Sequence, residues 1–94
     1  MITEGYRFRF AEGVRLRDAE DTLLLALLAA EGIYGEARVR MDAAYAVDAP
    51  LQVIVIDCAT QVGQDVCGIF TSFITKEFGP GAFCVRRLGQ EAQA

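Results

Sequence analysis

Residues 6–10, YRFRF, alternate strictly between aromatic and basic side chains, the period of a half-buried strand. A turn at Glu12-Gly13 leads to Asp18, a helix N-cap, with Glu20 and Asp21 in the first turn, where carboxylates complement the helix dipole. Leu16, Ala19, Leu23, Ala26, Leu27, Ala30 and Tyr34 then share one face at 100° per residue, so the helix runs to about Tyr34. Residues 37–47, ARVRMDAAYAV, alternate again: Val39, Met41, Ala43 and Tyr45 lie on one side, Arg38, Arg40 and Asp42 on the other. They predict a second strand. After a turn at Asp48-Ala49-Pro50, LQVIVIDC (51–58) is apolar on both faces and predicts a central strand. Thr60 caps a second helix carrying Val62, Val66, Ile69, Phe70, Phe73 and Phe78, stopped by Gly79-Pro80, and AFCVRR (82–87) supplies the last strand.

The order is β-α-β-β-α-β, and the exits of the two helices echo one another, EGIYG into ARVR and KEFGPG into AFCVR. Short, right-handed connections then favour a ferredoxin-like α+β sandwich, a four-stranded antiparallel sheet with both helices on one face. One domain is expected over 1–88, followed by a small, polar, flexible tail at 89–94. This resemblance is to a superfold and carries almost no functional information.

Helices on one face send Tyr6, Phe8, Phe10, Val39, Met41, Phe83 and Val85 to the core. Arg7, Arg9, Arg38, Arg40 and Arg86, with Asp42, then share the open face, because unpaired buried charge is prohibitive. The third strand adds either Val53 and Val55 or Ile54 and Ile56 to that face. With Ile54 and Ile56 there, the arginines rim an apolar centre suited to a second copy. The same arginines suit a small anion or nucleotide, or simply a solvated face. On the first helix, Leu24 and Leu28 lie off the core face between Glu20 and Glu31. Covering them would contribute about 1.5–3 kcal/mol each, so they are a second candidate interface.

Composition narrows the chemistry. At 94 residues, 53% hydrophobic, the chain holds one core, and its net charge of −4 disfavours broad nucleic-acid binding. The fold resembles that of RNA-recognition domains, but the central LQVIVIDC has no aromatic on which to stack bases. The longest apolar run, Leu23 to Ala30, falls far short of the roughly 20 residues of a membrane span, and residues 1–5 have no signal-peptide pattern. A cytoplasmic protein is expected. With no histidine and no C-x-x-C spacing among Cys58, Cys67 and Cys84, neither a metal site nor a Ser-His or Cys-His pair can be assembled, and no cofactor is expected. Acylphosphatase-like enzymes share the fold class. That resemblance implies an arginine-bearing loop after the first strand and an asparagine; the chain has Arg15 and Arg17 but no asparagine. Asp57, Cys58 and Thr60 could make a small polar site, with Cys58 a nucleophile only if its thiolate were stabilised. The reading is a non-catalytic interaction or regulatory module acting as a homodimer, with a sensor that binds a small anion or nucleotide on the arginine-rich open face as the alternative.

Overall fold

Strand β1, Gly5–Phe10, sits inside the sheet, paired antiparallel with β3, Val53–Asp57, on one side and with β4, Phe83–Leu88, on the other. Strand β2, Tyr45–Asp48, pairs antiparallel with β3, giving a four-stranded sheet of order β2-β3-β1-β4. These elements belong to a computed structural model that describes residues 2–89; apart from Gly89, the tail expected over 89–94 lies outside the described residues. The class is α+β, with three α-helices among the described residues. Phe8 stands opposite Ile54 and Val85, so the even positions of β1 share a face with Ile54 and Ile56. Phe8, Phe10, Ile54 and Ile56 are buried in one cluster with residues of two long helices.

The first of these, α1, spans Leu16–Tyr34 and begins two residues before Asp18, which lies in its first turn rather than at its cap. Its buried apolar positions, Leu16, Ala19, Leu23, Ala26 and Ala30, belong to the stripe read from the sequence; Thr22 is buried beside them, and Leu27 and Tyr34 of that stripe are partly buried. After Gly35 the short helix α2, Glu36–Asp42, follows, and the third helix, α3, spans Gln61–Phe78. Helices α1 and α3 run antiparallel, tied at one end by Thr22 Oγ1 donating to the Glu77 carboxylate and at the other by Tyr34 OH donating to the Asp65 carboxylate. Phe70 of α3 meets Phe8 edge to face, ring centroids 5.0 Å apart. Thr60 caps α3 as its sequence position predicts: its Oγ1 accepts from Gly63 N–H at 3.0 Å and donates to the Asp42 carbonyl at 2.8 Å, which joins α3 to the end of α2.

Over 37–42 the structure departs from the strand expected there. Gly35, at φ 86°, ends α1, and the chain resumes as α2 with ion pairs at helical spacing, Arg40 to Glu36 at 3.1 Å and Arg38 to Asp42 at 3.4 Å. Only Val39 of this helix is buried. The alternation of EARVRMD had the period of a strand, yet its glutamate, alanine, arginines and methionine are good helix formers that need no sheet partner. Met41, expected in the core, is 83% exposed. β2 is left with four residues, none of them buried.

Candidate functional site

The helix-free face of the sheet keeps only part of the basic cluster expected on it. Arg7 stands beside Val55 on one side and Arg86 on the other; Arg9 stands between Val53 and Cys84. Arg38 and Arg40 are absent from this face. They ride on α2, paired with Asp42 and Glu36, and Arg38 also lies 4.9 Å over the Tyr34 ring. Arg7, Arg9 and Arg86 make no ion pair among the described residues, and Arg7 faces Arg86 directly, an arrangement of like charges that costs free energy unless something neutralises it.

Ile54 and Ile56, expected as the apolar centre of an interface here, are instead core residues. The pairing of Ile54 with Phe8 and Ile56 with Tyr6 turns them toward the helices and gives the open face Val53 and Val55. Val53 is only 3% exposed although no helix covers it; Arg9 and Asp48 are its cross-strand neighbours on that face, and the long aliphatic stem of an arginine shields apolar surface while its charged head stays wet. The stripe is therefore not a free apolar surface.

Free apolar surface occurs elsewhere. Leu24 and Leu28 are 50% and 60% exposed on the side of α1 turned from the core, and Leu25 joins them. At the edge of the sheet, Tyr45 and Val47 of β2 point to the helix side, opposite Ile56 and Ile54, but remain 44% and 38% exposed. The β2 backbone is also unpaired on its outer side. Asp57 N–H donates to the Ala44 carbonyl at 2.9 Å, and antiparallel pairing alternates, so Ala44, Ala46 and Asp48 direct their backbone groups to β3. Tyr45 and Val47 direct theirs outward, where among the described residues they have no partner. The opposite edge strand, β4, carries Arg86 and Arg87, charges that discourage strand addition; from Tyr45 to Val47, β2 carries none.

A cavity of about 550 Å³ opens between α3 and the helix side of β1 and β4, lined by Tyr6, Cys58, Gln64, Cys67, Gly68, Thr71, Val85 and Arg87. Arg87 is the residue the sequence reading missed. The alternation of FCVRRL sets it on the side of Phe83 and Val85, so its place beneath a helix was legible. Its Nη1 donates to Tyr6 OH at 3.1 Å, the guanidinium lies 5.3 Å over the Tyr6 ring, and Nη2 is 4.0 Å from the Glu4 carboxylate. Burial raises the Cys58 thiol pKa; Arg87 opposes this, while Glu4 and Asp57 add to it. Burial also pushes Cys67 up to about 11. Both thiols are thus protonated near neutral pH, which argues against Cys58 as a nucleophile. Asp57 and Thr60, its suggested companions, are occupied: Asp57 Oδ1 accepts from Ala59 N–H at 2.7 Å, and Thr60 is the cap of α3.

Among the described residues no group of three or more metal-ligating side chains occurs, and no helix is long and apolar enough to cross a membrane. In comparisons with known proteins, the chain matches no family model, no curated protein and no solved structure.

Proposed function

We propose that this protein is a non-catalytic interaction module that works as a homodimer, joined along the free edge of β2. The strand order read from its other end, β4-β1-β3-β2, with every pair antiparallel, supports a ferredoxin-like plan to which α2 is an addition. The observation that carries the dimer is the unpaired, uncharged edge at Tyr45 and Val47. Two copies related by a two-fold axis would pair β2 to β2 antiparallel and extend the sheet. The alternation of the ladder restricts the register. Centring it on Ala46 puts Tyr45 of one copy opposite Val47 of the other, both on the helix side, and makes those the hydrogen-bonded pairs. The same register sets Asp48 opposite Ala44, so the two aspartates do not meet. Leu24 and Leu28 of α1 stay outside this joint.

Light scattering across protein and salt concentration tests the reading. A dimer that resists salt is expected, because backbone pairing and apolar contact are little screened. Val47→Lys should convert it to a monomer of unchanged circular dichroism. A monomeric wild type, or a dimer that Val47→Lys leaves intact, would overturn the proposal.

One observation favours a second reading, binding of a small anion on the open face: Arg7 and Arg86 lie opposite each other with no ion pair among the described residues. Titration with inorganic phosphate at low salt should then show saturable binding that weakens steeply as salt rises and is lost in Arg7→Ala plus Arg9→Ala. Unchanged affinity in that double variant would exclude it.

A further inference from the structure

We propose that the cavity between α3 and the β1–β4 pair is a binding site for a small apolar molecule ending in a single carboxylate, with Arg87 as the anchor for the charge. The volume, about 550 Å³, lies within the roughly 300–1,000 Å³ of small-molecule sites. The polar groups are few. Arg87 offers five N–H donors, of which Nη1 is used on Tyr6 OH and Nη2 only approaches Glu4, at 4.0 Å. Its Nε is buried and has no hydrogen-bond partner among the described residues. With Nε shut off from solvent, the remaining N–H groups of Nη1 and Nη2 are the donors left for a ligand, and a carboxylate oxygen is the acceptor that forms the strongest bond with them.

Charge selects the ligand class. Among the described residues Arg87 is the one cationic residue of the lining, and Glu4 beside it already offsets part of its charge. A single carboxylate brings one negative charge to a guanidinium that Glu4 already partly offsets; a phosphate dianion or a nucleotide would bring more, in a partly enclosed space. Apart from Gln64 and Thr71, the rest of the wall suits an apolar body: Val85, the Tyr6 ring, Cys58, and Cys67 and Gly68 of α3. Cys67 behaves there as a small hydrophobe, since its proton is held far above neutral pH. Gly68 provides space, as a Cβ built on it meets nothing within 4 Å. Gln64, Gly68 and Thr71, uncharged residues of α3, face the uncovered flank over β4. This site lies on the β4 side of the sheet, at the far end of the strand order from the β2 edge, so it stands or falls separately from dimerisation.

Sodium hexanoate is the probe, titrated into the isotopically labelled full chain and followed by amide chemical shifts, with hexanol and inorganic phosphate as controls at matched ionic strength. Hexanoate should give saturable shifts at 64–71 and 85–87, hexanol at least tenfold weaker binding, and phosphate no shifts there. Arg87→Gln should weaken hexanoate at least tenfold. Gly68→Met, which fills the space without a backbone clash, should abolish binding in a protein that stays folded. Equal binding of hexanol and hexanoate, hexanoate affinity unchanged in Arg87→Gln, tight binding retained in Gly68→Met, or no saturable shift with hexanoate would each overturn the proposal.

Discussion

Two glycines five positions apart on α3 are expected to respond to alanine with opposite signs. Gly63 lies in the first turn, pressed on the end of β3: a Cβ there would sit 2.2 Å from the Asp57 carbonyl oxygen and 3.2 Å from Thr60 Oγ1. Since that oxygen belongs to the backbone, the helix itself must retreat, by about 1 Å to reach ordinary contact. Overpacking of this kind costs about 1–3 kcal/mol. The retreat also stretches the Gly63 N–H bond to Thr60 Oγ1, whose cap is worth about 1 kcal/mol. Against this stands the helix propensity gained on replacing glycine, at most about 1 kcal/mol. Gly63→Ala should therefore lose about 1–3 kcal/mol net, and at about 4–8 °C per kcal/mol for a domain of this size the fall in Tm is easily seen. At Gly68 the space is open, and Gly68→Ala should keep its propensity gain of about 0.8–1 kcal/mol. Urea unfolding followed by far-UV circular dichroism gives both values. A Gly63→Ala protein as stable as wild type would refute the packing of α3 on β3, and a Gly68→Ala protein less stable than wild type would refute the open space at Gly68.

Thr60→Ala removes both the cap of α3 and the bond to the Asp42 carbonyl, and should cost about 2 kcal/mol in urea unfolding, with Thr60→Ser recovering more than half. Native protein at neutral pH should label with iodoacetamide at exposed Cys84 alone, and at Cys58 and Cys67 only after unfolding, as peptide mapping would show. Stability should also fall as pH rises from about 9 to about 11. In that window the unfolded chain releases the Cys67 proton while the folded one, with its pKa at about 11, retains it. Tyr34, raised above 10.0 chiefly by its hydrogen bond to Asp65, acts with the same sign. A urea midpoint that does not move across that interval would contradict the burial of Cys67 and the Tyr34–Asp65 hydrogen bond together.

How far the sequence could be read depended on whether a pattern had one physical cause. YRFRF and the stripe on α1 each bury one face against the core, and period alone located them. The stretch from Glu36 to Asp42 obeyed two rules at once. Its side chains alternate like a strand, while the pairs Glu36–Arg40 and Arg38–Asp42 and its helix formers favour a turn or two of helix; these local preferences prevailed, which removed Arg38 and Arg40 from the sheet. The face assignment of VIVID was undecidable because both sides are apolar. Only pairing, Ile54 against Phe8, resolves it. Gln52 was likewise unreadable: it takes φ 57°, a conformation that glycine or asparagine usually marks, and is held there by its side chain donating to the Val14 carbonyl at 2.9 Å. Val85 and Arg87 share the core-facing side of β4 with Phe83, yet they border a cavity, because α3 does not cover the edge strand there. A strand's period tells which side a residue takes; it does not tell how far the helices reach.

The proposal that the β2 edge joins two copies is tested most directly by symmetric cross-linking. At Ala46 the proposed register brings each residue opposite its own counterpart in a non-hydrogen-bonded pair, with Cα atoms about 4.5 Å apart, within the range a disulfide spans. Ala46→Cys in a Cys84→Ser background, oxidised mildly and run without reductant, should give a covalent dimer in high yield. Ala44→Cys in the same background, whose counterpart in this register is Asp48, should give little. Rapid cross-linking at Ala44→Cys with none at Ala46→Cys, or monomer from both, would contradict the account.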